Sequence, residues 1–260
     1  MKNISILTSV IYIIFWISLS SCGGQSPLSS SPDHADFNQE ERIGLATQWG
    51  ETRSSQVTNT QFTRANNYPT ETATIYYNDQ VGITAMLPDQ YLEQRVLPMW
   101  LNVGFRGIVS IGLYNEMGQL LEGWIRNSKG YVIGEAGHRY SIVVHNNTNV
   151  RLEVVLSVDG LDVIDGKLAA FGKSGYVIAP HATLTVDGFR QSMDEVAAFR
   201  FGSVSQSYAN KKYGDTRNVG VIGLAVFHPW GSEPFSQRTQ DEARKRYNAE
   251  PFPGRFATPP

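Results

Sequence analysis

Three carboxylates at three-residue intervals are the first candidates for chemistry. Asp159, Asp162 and Asp165 carry oxygen ligands of the kind that gather around a hard cation such as calcium. The EF-hand loop, however, draws its ligands from every second residue, and no Glu stands twelve positions on from Asp159. Asp159 and Asp165 each precede a glycine, so tight turns explain them more simply; Asp162 has no such neighbour. No metal site is assigned. Gly166 and Gly172-Lys173-Ser174 are separated by five residues where a phosphate-binding loop has four. The chain that follows, Gly175 to Pro180, reads as strand where that loop needs a helix N-terminus. Gly220-Val221-Ile222-Gly223 lacks the βαβ unit of a dinucleotide site, and its glycines read as places of close strand approach or bulging. His138 and His145 fall on opposite faces of any continuous strand. Ser110 falls one residue short of a nucleophile-elbow spacing. A carboxylate pair for glycoside cleavage is defined by spatial separation and leaves no spacing to read. No catalytic residue is assigned and no cofactor is implied. Two aromatic and cationic groupings remain, Trp124 with Arg126 and Tyr176 with Phe189 and Arg190. Both stand near expected strand ends, where an exposed ring can hold a sugar or a protein edge.

The chain has one cysteine, which excludes an internal disulfide framework and a cysteine-ligated zinc. Its position is the informative part. Lys2 precedes a mostly apolar run from Ile4 to Leu19, and the next charge is Asp33. That run is shorter than the ~20 residues needed to cross a bilayer and has the outline of a signal peptide. It ends in Leu19-Ser20-Ser21-Cys22-Gly23-Gly24, which resembles the lipobox of bacterial lipoproteins. The resemblance implies diacylglyceryl attachment to the Cys22 sulfur, cleavage between Ser21 and Cys22, and acylation of the new amine. Two or three acyl chains make a stable anchor where one binds only marginally. Gly23 after the cysteine, in place of Asp, resembles cargo sorted to the outer membrane.

The elements that would position any site are β-strands. Val, Ile and aromatic runs at Ile75–Tyr77, Val103–Tyr114, Leu120–Ile125, Tyr140–His145, Leu152–Val158, Ala182–Val186, Val196–Phe201 and Val219–Phe227 are separated by turn formers. These include Asn78-Asp79, Asn115 to Gly118, Asn146 to Asn149, Asp159-Gly160, Asp165-Gly166 and Asp187-Gly188. About nine to ten strands at this spacing predict a single, mostly antiparallel β-sandwich. Ser205 to Tyr213, polar and ended by Gly214, predicts a short C-capped helix. The organisation expected is a signal peptide over 1–21, a tether over 22–38, a β-sandwich over 39–228 and a Pro- and charge-rich tail over 229–260. In that tail Thr239-Gln240-Asp241-Glu242 and the pair Glu242/Arg246 predict a short helix. The tether is Gly-, Ser- and Pro-rich and cannot bury enough apolar surface to order itself.

Ile43 to Glu51, Val155 to Gly166 and Asn218 to Phe227 resemble recurrent blocks in a group of bacterial envelope proteins of unassigned activity. The resemblance spans roughly residues 43–228 and brings no functional residue with it. With 22 Lys and Arg against 24 Asp and Glu, and a formal net charge of −2, the chain has no basic field for nucleic acid. The function expected is that of a lipid-anchored envelope protein, at the periplasmic face of the outer membrane, whose β-domain binds another envelope protein without catalysis. The alternatives are a carbohydrate- or peptidoglycan-binding module using exposed aromatics, and a periplasmic hydrolase with an unrecognised site.

Overall fold

The computed structural model describes residues 42–232, except 92–94, 96–97 and 105–106, together with 242 and 244–249. Two sheets form the body. Sheet A has the order β1-β13-β7-β4-β3, from β1 (Leu45–Ser54), β3 (Leu101–Val103), β4 (Val109–Tyr114), β7 (Arg139–Asn146) and β13 (Glu195–Ser203). Sheet B has the order β10-β8-β14-β2-β6-β5, from β2 (Glu71–Asn78), β5 (Gly123–Arg126), β6 (Lys129–Ile133), β8 (Leu152–Val158), β10 (Tyr176–Ile178) and β14 (Val221–Phe227). The short β9 (Leu161–Asp162) pairs with β8. The expected β-sandwich is the fold found. Its pairings are antiparallel except β2 with β6, which run parallel.

Period-two alternation explains the layers. Ala73, Ile75 and Tyr77 of β2, Ile222, Leu224 and Val226 of β14, and Val154, Leu156 and Val158 of β8 turn inward, against Ile142, Val144, Phe199 and Phe201 of sheet A. Fully burying each of the Val, Leu, Ile and Phe side chains among them stabilises the fold by about 1.5–3 kcal/mol. Sheet A contains a wedge. β7 and β13 meet only at Phe199↔Tyr140 and Arg200↔Arg139 and then diverge. β11 (Thr183–Val186) pairs with β7 and β12 (Gly188–Arg190) pairs with β13, filling the gap.

Several expectations change. Asp187-Gly188 is not a reversal but the point where one extended chain shifts from β7 to β13; a Cβ at Gly188 would overlap the Ala197 carbonyl, so glycine serves close approach there. The single run expected over Val103–Tyr114 is two strands, β3 and β4, parted by a turn at Gly104 and Gly107, both at positive φ. Leu120 makes only an isolated bridge to Tyr114, and β5 starts at Gly123. β1 and β6 were not expected as strands. The body's hydrogen bonding also continues past 228, since the Trp230 amide donates to Thr63 O at 2.8 Å.

Two helices cap strand ends. α1 (Gln80–Met86) starts at Asp79, whose side chain accepts from the Gly82 amide at 2.7 Å. Its Ile83, with Leu87 one turn on, packs on Trp124 against the outer face of sheet B. α2 (Tyr208–Tyr213) starts at Ser207 and ends at Gly214 in the left-handed conformation, the C-cap expected. In the tail, residues 244–247 are helical and Arg246 Nε donates to Glu242 at 3.0 Å.

Candidate functional site

The outer face of sheet B is covered at its two ends and open between them. At one end α1, Leu87 and Trp124 close over β5 and β6. At the other, Phe62 packs on Val155, Ala225 and Phe227. The open middle is a groove of ≈ 580 Å³. Its floor follows from register. Thr72, Ala225 and Val155 form one transverse row, and Thr74, Gly223 and Ser157 the next. The side chains are small and none is charged. A Cβ at Gly223 would lie 2.6 Å from Ser157 Oγ, so glycine deepens the floor at its centre.

One wall is the loop Ala169-Ala170-Phe171, with Leu168 and Phe171 exposed beside it. A buried ion pair fixes this wall. Arg64 donates to Glu153 through Nε at 2.7 Å and Nη2 at 3.0 Å, and its remaining donors reach the carbonyls of Phe171 and Lys173. The guanidinium lies 3.7 Å from the Phe227 ring centroid, and Glu153 also accepts from the Gly175 amide at 2.7 Å. A charge pair largely withdrawn from water, as this one is at 15% and 7% side-chain exposure, holds best when its remaining hydrogen-bonding capacity is met. The fork therefore clamps loop 169–173 to the sheet.

A second constellation lies between the sheets. Asp159 is buried, and its Oδ1 accepts from the Tyr77 hydroxyl at 2.5 Å and the Gly220 amide at 2.9 Å. Its Oδ2 accepts from the Thr47 amide at 2.7 Å. Thr47 Oγ1 lies 2.7 Å from Tyr77 Oη and 2.6 Å from Tyr140 Oη. Since Tyr77 donates to the carboxylate, the proton order is fixed as Tyr140 to Thr47 to Tyr77 to Asp159. Burial raises the Asp159 pKa to about 6, against the opposing pull of the Tyr77 hydroxyl and the backbone donors. Burial, and then the Asp159 charge, push both tyrosines well above their ordinary value. This network joins β1 of sheet A to β2 and the start of β14 in sheet B.

The sequence candidates separate accordingly. The carboxylates of Asp159, Asp162 and Asp165 do not converge. Asp159 serves the network between the sheets, Asp162 Oδ1 accepts from the Ile164 and Asp165 amides at 2.9 and 3.0 Å, and Asp165 pairs with Lys173 at 2.6 Å. Among the described residues no group of three metal-binding side chains forms. Asp162 Oδ2 is buried without a hydrogen-bond partner, and burial raises that residue's pKa above the opposing effect of its backbone donors. Lys173 is held by Asp165 at the groove wall, which gives the near-miss phosphate loop a structural role.

Trp124 is only 4% exposed, buried under α1, so it offers no binding face; this corrects the expectation of an exposed ring. Arg126 stacks on Tyr91, 4.5 Å from the ring centroid. Phe189 is 1% exposed and packs on Trp49, Tyr208 and Phe199, a second correction. Arg190 Nε donates to the Tyr176 hydroxyl at 3.2 Å and Nη1 to Ser55 O at 2.8 Å, so that pair ties β10, β12 and the segment after β1 together. Ser21 and Cys22 lie outside the described residues. Among the described residues no helix is long and apolar enough to cross a membrane. The groove itself was missed. Its only signal was the run of small residues in Thr72-Ala73-Thr74 and Gly223-Leu224-Ala225, which acquires meaning once the strands are in register. The chain matches no protein-family model, no curated protein and no solved structure.

Proposed function

We propose that the chain is a bacterial lipoprotein, held to the envelope through acyl chains on Cys22 and facing the periplasm from the outer membrane, whose β-sandwich binds another envelope protein. The lipobox spacing supports the anchor. The groove on sheet B supports the binding role and is the observation that carries it. It is concave and uncharged over its floor, bordered by the exposed Leu168 and Phe171, and walled by a loop clamped through Arg64 and Glu153. Exposed apolar surface rimmed by polar groups marks interaction sites, and a wall fixed beforehand lowers the ordering cost of binding.

The test is a photo-reactive phenylalanine analogue in place of Phe171, half-exposed at the lip, in living cells. One dominant protein adduct, lost when the same group replaces the exposed Met117 in the turn after β4 of sheet A, is the expected result. Absence of any adduct at position 171 would sink the reading.

A further inference from the structure

The floor of the groove is uncharged, but its end toward the β5 edge is not. Register carries the row Ser157, Gly223 and Thr74 onward to Lys129, which pairs with Thr74, and to Arg126, which pairs with Lys129. At ~4.8 Å per strand, the backbone positions of Lys129 and Arg126 lie about 5 and 10 Å beyond that of Thr74, on the same outer face. Like charges directly opposite across a strand pair destabilise the sheet. Neighbouring Arg95 is neutralised by Glu122. Lys129 and Arg126, by contrast, meet no carboxylate among the described residues. Aromatic surfaces hold their heads instead, with Lys129 Nζ 5.5 Å from the Tyr76 ring centroid and 3.4 Å from its hydroxyl, and the Arg126 guanidinium over Tyr91. Tyr76 stacks on Tyr131 at 5.3 Å, making a ridge beside the row. The result is an uncharged trough leading to two cations that are held by aromatic faces and meet no carboxylate among the described residues.

We propose that the segment docking in this groove is an apolar stretch of a partner protein with a carboxylate beside it, an Asp or Glu side chain or a chain terminus, received between Arg126 and Lys129. The inference rests on the groove being the partner-binding site and adds the chemistry of the partner. A guanidinium fork and an ammonium on adjacent strands suit a carboxylate's two oxygens. The small floor residues Gly223, Ala225 and Thr74 leave room for bulky apolar side chains one or two residues away from it.

The experiment repeats the crosslinking at position 171 in the full-length protein carrying Arg126→Glu with Lys129→Glu, and separately Lys211→Glu, a charge reversal on α2 at a residue that does not line the groove. The adduct is expected to fall at least tenfold in the first and to persist in the second, and its crosslinked peptide to carry an acidic side chain or a terminal carboxylate near an apolar run. Arg126→Gln with Lys129→Gln, at unchanged thermal unfolding, is expected to give an intermediate loss and shows that the effect is not misfolding. An adduct unchanged by the double charge reversal overturns this inference and leaves the partner reading standing, whereas an adduct whose mass is that of a lipid overturns both. No adduct in the parent protein overturns both.

Discussion

Burial of the Asp159 carboxyl makes the folded state bind a proton more tightly than the unfolded chain does. The carboxyl titrates at about 6 in the folded chain against ~3.9 when unfolded, so between those values the folded state holds a proton that the unfolded state has released. The protonated carboxyl therefore contributes stability that is full below about pH 4 and lost as pH rises through 6. At about 1.4 kcal/mol per unit the change is ~3 kcal/mol. Urea unfolding at pH 5 and pH 7.5 checks it, and a midpoint that rises with pH over that interval, once the exposed carboxylates are fully ionised, contradicts the assignment. Tyr77→Phe removes the hydroxyl donated to Asp159 Oδ1. It is expected to cost about 1–3 kcal/mol at pH 7.5, where the carboxylate is charged and buried, and measurably less at pH 5.

The groove wall behaves as an element. Arg64→Ala leaves the Glu153 carboxylate buried without its cation and is expected to destabilise the fold by about 3–5 kcal/mol, read from chemical unfolding. Amide exchange over residues 169–175 is expected to quicken first, because the Phe171 and Lys173 carbonyls lose their donor in the same step. Uniform quickening across both sheets would instead mean that the fork holds the whole body and not the loop. How far such elements were legible varies with what fixes them. β2, β7, β8, β13 and β14 announce themselves through inward apolar alternation that any core must use. The end of α2 is readable from Gly214, but its start is not, since the polar run expected as helix from Ser205 begins with a separate 3₁₀ turn and the helix proper starts after Ser207. β6 is not readable, because Lys129–Ile133 is five residues with a glycine inside. The turn before it also uses Asn127 and Ser128 at positive φ without a glycine. The Asp187-Gly188 pair misleads because the chemistry that permits a reversal also permits the tight strand approach found there. The row from Ser157 to Arg126 joins residues from β8, β14, β2, β6 and β5; it exists only in the pairing register, which no local spacing records. Trp124 and Phe189 share that limit, since a ring near a strand end reads alike whether a helix covers it or water does.

For the molecule as a whole, Cys22→Ser is expected to move the protein from the membrane fraction to the soluble one. Retention in membranes after that change, measured by fractionation and immunoblotting, would remove the lipid anchor from the proposal. The described chain enters the body at the head of β1, where the Leu45 amide donates to Asn78 Oδ1 at 2.8 Å, and it leaves past β14, where Trp230 lies beside Thr63. Among the described strands β1 pairs on one side only, with β13, from Leu45↔Ser203 to Ser54↔Glu195. Its cross-strand hydrogen bonds stand perpendicular to the strand. A load arriving through the amino end along that axis is therefore shared by the ladder in shear, with the Asp159 contact to the Thr47 amide adding a bond to the other sheet near the point of attachment. The same load applied sideways would open the pairs one after another. Single-molecule pulling from residue 42 is expected to require more force along β1 than across it, which makes the one-sided strand a mechanical fuse whose rating depends on the direction of pull.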